Sequence, residues 1–106
     1  MTSMKDREEG FERKFAMDEE LRFKATARRN RMLGMWAAEK LGKTGDEADA
    51  YAKEVVIADF QEAGDDDVVR KVRGDLEAAG LAISEQQIRS VMVDLMQQAI
   101  KSIQDS

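Results

Sequence analysis

Proline, cysteine and histidine are all absent from the 106 residues of this chain. Without proline, nothing in the sequence removes a backbone donor from a helix interior or clashes with its preceding turn. Without cysteine there is no disulfide framework, no thiolate nucleophile and no zinc site built on sulfur. Without histidine the commonest general base and the commonest metal ligand are missing. No apolar run approaches the roughly 20 residues that span a bilayer. The N-terminus, MTSMKDREEG, is charged and lacks the apolar stretch of a secretory signal. These absences point to a cytoplasmic, soluble protein with no direct membrane insertion, no cofactor and no metal.

What is present favours helices. Ala, Glu, Lys, Arg, Leu and Met lose little rotamer freedom in a helix, and they are plentiful here. With 42% hydrophobic residues the chain can build one modest core, the most that its length allows. The net charge of −5 conceals a banded distribution. Residues 1–20 carry four bases and seven acids, residues 21–45 seven bases and one acid, and residues 46–106 six bases and fourteen acids. A basic band therefore lies between two acidic segments, which bears on partners or on internal docking.

Glycine punctuates four helical segments. The first is expected from about Glu19 to Leu41, with Asp18 as N-cap and Gly42 as its stop. Its apolar stripe is read as Leu21, Ala25, Met32 and Trp36, widened by Leu33, Ala37 and Leu41. The second follows Thr44, which has capping-box spacing to Glu47. It turns Ala48, Tyr51, Ala52, Val55 and Val56 inward and ends near Gly64. The third follows the acidic run 65–67, buries Val68, Val69, Val72 and Leu76, and ends at Gly80. The fourth opens on a second capping-box pair, Ser84 and Gln87. Ile88, Val91, Met92, Leu95, Ala99 and Ile103 then recur at three and four residues, the clearest periodicity in the chain. Each segment is amphipathic and the links are short, so the expected fold is all-α: a four-helix, bundle-like domain.

Residues 1–17 stand apart. Phe11 and Phe15 sit four apart in a segment that is otherwise mostly charged and is interrupted by Gly10. Helix nucleation is costly, so this short arm is expected to be frayed or disordered when free. Continued backwards from the first helix on a partner, it would place both rings on one face, as anchors for helix-in-groove recognition.

Three other stretches carry a sharper and a plainer reading. The GKT triplet at 42–44 matches part of a phosphate loop, but Ala37 stands where the motif needs glycine, and a helix precedes it instead of a strand. Gly42 as a helix stop and Thr44 as the next cap account for it. The acids at 65–67 lose the calcium-loop pattern at Val68 and Val69, and carboxylates at a helix start suit its free amides and dipole. In the basic band, Lys24, Arg28 and Arg31 share one stripe, with Arg22 and Arg29 elsewhere around the helix. Nucleic-acid binding is disfavoured by the acidic total and by the lack of any reader motif. An acidic protein partner, or the acidic remainder of the bundle, suits the band better. Trp36, Met32, Met35, Met92 and Met96 are read as core filling. No nucleophile–base pair can be named, so an enzyme is not expected.

The phrases ARRNR, the LG and WAA around Trp36, DEADAYAKEV and ADFQEAGD resemble the alphaproteobacterial zeta subunit of the F-type ATP synthase, over almost the whole chain. The resemblance implies a four-helix protein whose mobile N-terminal segment inhibits ATP hydrolysis by the catalytic head of the synthase. The partners it implies are the alpha, beta and gamma subunits of that head, with the protein peripheral on the membrane-bound enzyme and monomeric when free. It divides the chain into an inhibitory arm, 1–17, and a four-helix domain, 18–106. Carried over by position, Arg7, Glu8, Glu9, Phe11, Glu12, Arg13, Lys14 and Phe15 are the expected contacts, with Arg22 on the first helix beyond them. The bundle would limit how deeply the arm enters a catalytic interface. The alternative is an adaptor or assembly protein that binds through the bundle while its arm stays passive. With no histidine, a histidine-based pH switch is not expected.

Overall fold

The computed structural model describes residues 19–59 and 64–105. Within them the chain forms four helices: α1 (Glu19–Lys40), α2 (Gly45–Ala58), α3 (Asp66–Ala78) and α4 (Glu85–Asp105). The first helix is the organising element. It packs against α2, α3 and α4, while α3 also bridges α2 and α4.

The α1–α2 contact depends on small residues. Gly34 is buried, and a β-carbon placed on it would come within 2.5 Å of the Ala52 Cα. Two helices can approach this closely only where one side contributes no side chain. The core then gathers around Leu33, Tyr51, Val55, Val72, Leu76 and Ile88, with Trp36, Leu41, Leu81 and Ile83 half-buried at its edge.

Two helix ends follow the glycine signals closely. Gly42 adopts φ +79° just after α1. Its N–H donates to the Glu39 carbonyl at 3.1 Å, and the Lys43 N–H donates to the Ala38 carbonyl at 2.9 Å. Gly80, at φ +82°, closes α3 in the same way, with Gly80 N–H to the Glu77 carbonyl and Leu81 N–H to the Leu76 carbonyl, both 2.9 Å. This paired 5→2 and 6→1 pattern satisfies carbonyls that a helix end leaves open, and it needs a left-handed residue that glycine supplies without strain. At the second stop Leu81 folds back onto the core beside Leu76, completing the motif with an apolar contact.

The start signals divide. Ser84 and Gln87 form the expected reciprocal box: the Ser84 N–H donates to Gln87 Oε1 at 2.9 Å, and the Gln87 N–H to Ser84 Oγ at 3.1 Å. Thr44 occupies the N-cap of α2 in an extended conformation, but its side chain makes no capping bond. Only a backbone contact, Glu47 N–H to the Thr44 carbonyl at 3.2 Å, links the two residues.

The inward faces of α3 and α4 are as expected. Val68, Val69, Val72 and Leu76 are buried on α3, as are Ile88, Met92 and Ala99 on α4, with Val91 and Leu95 packed against the core. Several expectations need correction. Met35, read as core filling, is exposed, and Val56, read as turned inward, is only half-buried. The second helix ends at Ala58, six residues before Gly64, and residues 60–63 lie outside the described part of the chain. The buried stripe of α1 is Ala25, Arg29, Asn30, Leu33, Gly34, Ala37 and Ala38. It is rotated from the expected one, leaving Leu21, Met32 and Trp36 half-buried. The rotation follows from two polar residues, Arg29 and Asn30, lying on the inner face, where an apolar count does not register them.

Candidate partner-binding site

Most of the expected contact residues, Arg7, Glu8, Glu9, Phe11, Glu12, Arg13, Lys14 and Phe15, lie outside the described residues. Arg22 lies within them, exposed near the start of α1. The helix opens with Glu19 and Glu20, whose carboxylates suit the positive end of its dipole.

The basic band separates into two populations. Lys24, Arg28 and Arg31 form an exposed stripe on α1, as their spacing implies. Lys24 reaches Glu20 at 3.5 Å and Arg31 reaches Asp49 at 3.5 Å, both between exposed groups, and such pairs contribute little. Arg28 Nη1 donates to Ser102 Oγ at 2.6 Å, tying α1 to the last turns of α4.

Arg29 behaves differently. It is only 6% exposed, and its guanidinium clasps the Asp65 carboxylate through Nη2 at 2.8 Å and Nη1 at 3.3 Å. Nε and Nη2 also donate to Asn30 Oδ1, at 3.1 and 2.8 Å. Asp65 is the N-cap residue of α3, so the pair fastens the middle of α1 to the start of α3. A buried guanidinium needs such partners, because an unpaired charge would not remain there. The sequence reading placed Arg29 away from the stripe but gave it no role. Its offset of four from both Ala25 and Leu33 was the available signal. Burial pushes the Asp59 carboxyl up from its usual value, against the opposing pull of Arg29. The Asn30 amide also favours the Asp59 anion, although its Nδ2 has no geometrically sound hydrogen bond among the described residues.

A second polar group joins α2 to α3. The Tyr51 hydroxyl donates to Asp75 Oδ2 at 2.8 Å, and Lys71 Nζ donates to the same oxygen at 3.1 Å and to Glu54 at 2.9 Å. Lys71 also lies 5.2 Å from the centre of the Tyr51 ring. Burial, with the Asp75 carboxylate beside it, raises the phenol well above its ordinary range. This arrangement is fully explained by holding two helices together. Among the described residues no group of carboxylates is placed to hold a metal ion. No described helix is long and apolar enough to cross a membrane.

Comparison with known proteins bears on the chain as a whole. One of the solved structures that match, a protein determined by solution NMR, is 52% identical. It matches with a TM-score of 0.71 over 80% of this chain and 96% of its own. A search of curated proteins found no match. The profile of the family described as ATPase inhibitor subunit zeta matches residues 1–102, so it takes in the front segment together with all but the last residues of α4. The chain belongs to the ATPase inhibitor subunit zeta family and is a regulatory, non-catalytic protein.

Proposed function

We propose that this protein restrains ATP hydrolysis by the catalytic head of an F-type ATP synthase through residues 1–17, with the four-helix domain as the body that positions them. The observation that carries the reading is the family match from residue 1, which includes the front segment as well as the bundle. Phe11 and Phe15, four residues apart, would share a face once helical and supply the apolar burial that offsets the entropy of ordering the arm. Arg7, Glu8, Glu9, Glu12, Arg13 and Lys14 would set its register, and Arg22 would extend the contact onto α1. The partners are the alpha, beta and gamma subunits, with the arm entering a catalytic interface as a helix and blocking the rotation that accompanies hydrolysis. The bundle is too wide to follow and sets the depth of entry. Capture is favoured during hydrolysis, when the interface cycles in the direction that admits the arm.

The test is the Phe11→Ala/Phe15→Ala double variant in a hydrolysis assay with a purified alphaproteobacterial head. Buried aromatic anchors commonly account for 2 kcal/mol or more each, on the order of 30-fold. The dose–response curve should therefore move by at least tenfold. A curve superimposed on that of the unsubstituted protein would remove the two rings, and with them the proposed mode of entry.

A further inference from the structure

One face of the bundle departs from the charge of the whole. Along α1, Lys24, Arg28 and Arg31 line a groove of about 770 Å³ whose opposite wall is α2, where Lys53 supplies a fourth cation. Among the described residues no acid lines it, although the protein carries a net charge of −5 and two exposed carboxylates, Glu20 and Asp49, pair with Lys24 and Arg31 at its margin. Its floor is apolar, formed by Ala27, Val56 and Ile57, with Phe23 and Ile103 at one end. Ile57 is 58% exposed and Phe23 60%, two of the four large apolar side chains exposed among the described residues. Cations on both walls of an apolar floor form a receptor of recognisable chemistry.

We propose that this groove binds an acidic amphipathic helix presented by the ATPase, as a second contact separate from the arm; the assignment rests on the reading that the head is the partner. From Phe23 to Arg31 the α1 wall runs two turns, about 12 Å at 1.5 Å per residue. A helix of similar length laid along it would place apolar residues three or four apart on Ala27, Val56 and Ile57. Carboxylates flanking that stripe would meet Lys24, Arg28 and Arg31 on one side and Lys53 on the other. Such complementarity steers association and fixes register more than it adds raw affinity.

Two other occupants fit less well. The chain's own residues 1–18 hold five acids but also four bases, a poor match for four clustered cations. A second copy in symmetric contact would bring the same four cations against themselves.

The experiment uses the full-length chain and the purified head, measuring the dissociation constant over a range of salt concentrations together with inhibition at saturation. Lys24→Glu/Lys53→Glu should weaken binding at least tenfold at low salt and flatten its salt dependence. Ile57→Ser should weaken it several-fold. Both variants alter exposed side chains and should inhibit fully once saturated, because residues 1–17 are intact. Affinity equal to that of the unsubstituted chain in both variants overturns the groove assignment, and so does an unsubstituted chain that does not bind the head. The assignment also fails if the Ile57 methyl resonances of the free protein move on deletion of residues 1–17 and stay still when the head is added, since the arm would then occupy the groove. Loss of inhibition in Phe11→Ala/Phe15→Ala, or its retention, reports on the arm alone and leaves the groove result distinct.

Discussion

Single residues in this protein act at places where a helix pair has no slack. Gly34 is the clearest. A methyl group there meets the Ala52 Cα at 2.5 Å and the Val55 Cγ2 at 3.3 Å, so α1 and α2 must separate to admit it. Gly34→Ala is expected to lose about 1–3 kcal/mol, the usual cost of overpacking. Urea unfolding should show this as a lower midpoint with an unchanged slope. Asp65→Asn tests the buried guanidinium: it removes the carboxylate charge and replaces one of the two oxygens that accept from Arg29 by an NH2 group that can only donate. A loss of about 2 kcal/mol is expected, near the value of hydrogen bonds to charged groups, because Asp65 keeps part of its surface in water. Tyr51 offers a pH test. Its folded-state pKa lies above the unfolded value, so the native state keeps the proton where the unfolded chain releases it. Stability from this group is complete below pH ~10 and falls as the pH rises beyond it. Tyr51 is the only tyrosine, so absorbance at the phenolate band follows it alone. The spectrum should show ionisation together with unfolding, and Tyr51→Phe should abolish that part of the alkaline stability loss.

At the scale of the helix, legibility tracked how local the cause was. Gly42, Gly80 and the Ser84–Gln87 pair act within a few residues of chain, and each does what its spacing implied. The buried positions of α3 were readable for the same reason, since one apolar face meets one core. Thr44 carries the same spacing to Glu47 as Ser84 to Gln87, yet no side-chain bond forms, because spacing alone does not fix the rotamers a box requires. The face of α1 was the larger miss. Its orientation depends on Arg29 finding Asp65, a partner 36 residues away that periodicity does not reveal. Ile57 was hidden differently: it stands outside the buried set of α2 and gains meaning only beside Lys53 and the α1 cations. Helix-level changes should separate cleanly. A β-carbon at Gly74, inside α3, would meet nothing within 4 Å. Gly74→Ala should therefore stabilise by about 0.5–1 kcal/mol through backbone entropy. Ser84→Ala should cost about 1 kcal/mol through the lost cap. Thermal unfolding of the two variants, moving in opposite directions, checks both.

Over the whole molecule, the banded charge finds a structural counterpart. The basic band is divided between one buried tie, Arg29, and an exposed stripe along the groove between α1 and α2. Among the described residues the buried core runs from Ala25 to Ala99. The proposed division of labour between residues 1–17 and the bundle gives the account its decisive experiment. ATP hydrolysis by a purified alphaproteobacterial ATP synthase head would be titrated with the full chain and with a version lacking residues 1–17. The account predicts inhibition by the full chain, none by the truncated one, and a truncated protein that still competes with the full chain for the head through its groove. Equal inhibition by both forms would contradict it, placing the inhibitory contact on the bundle.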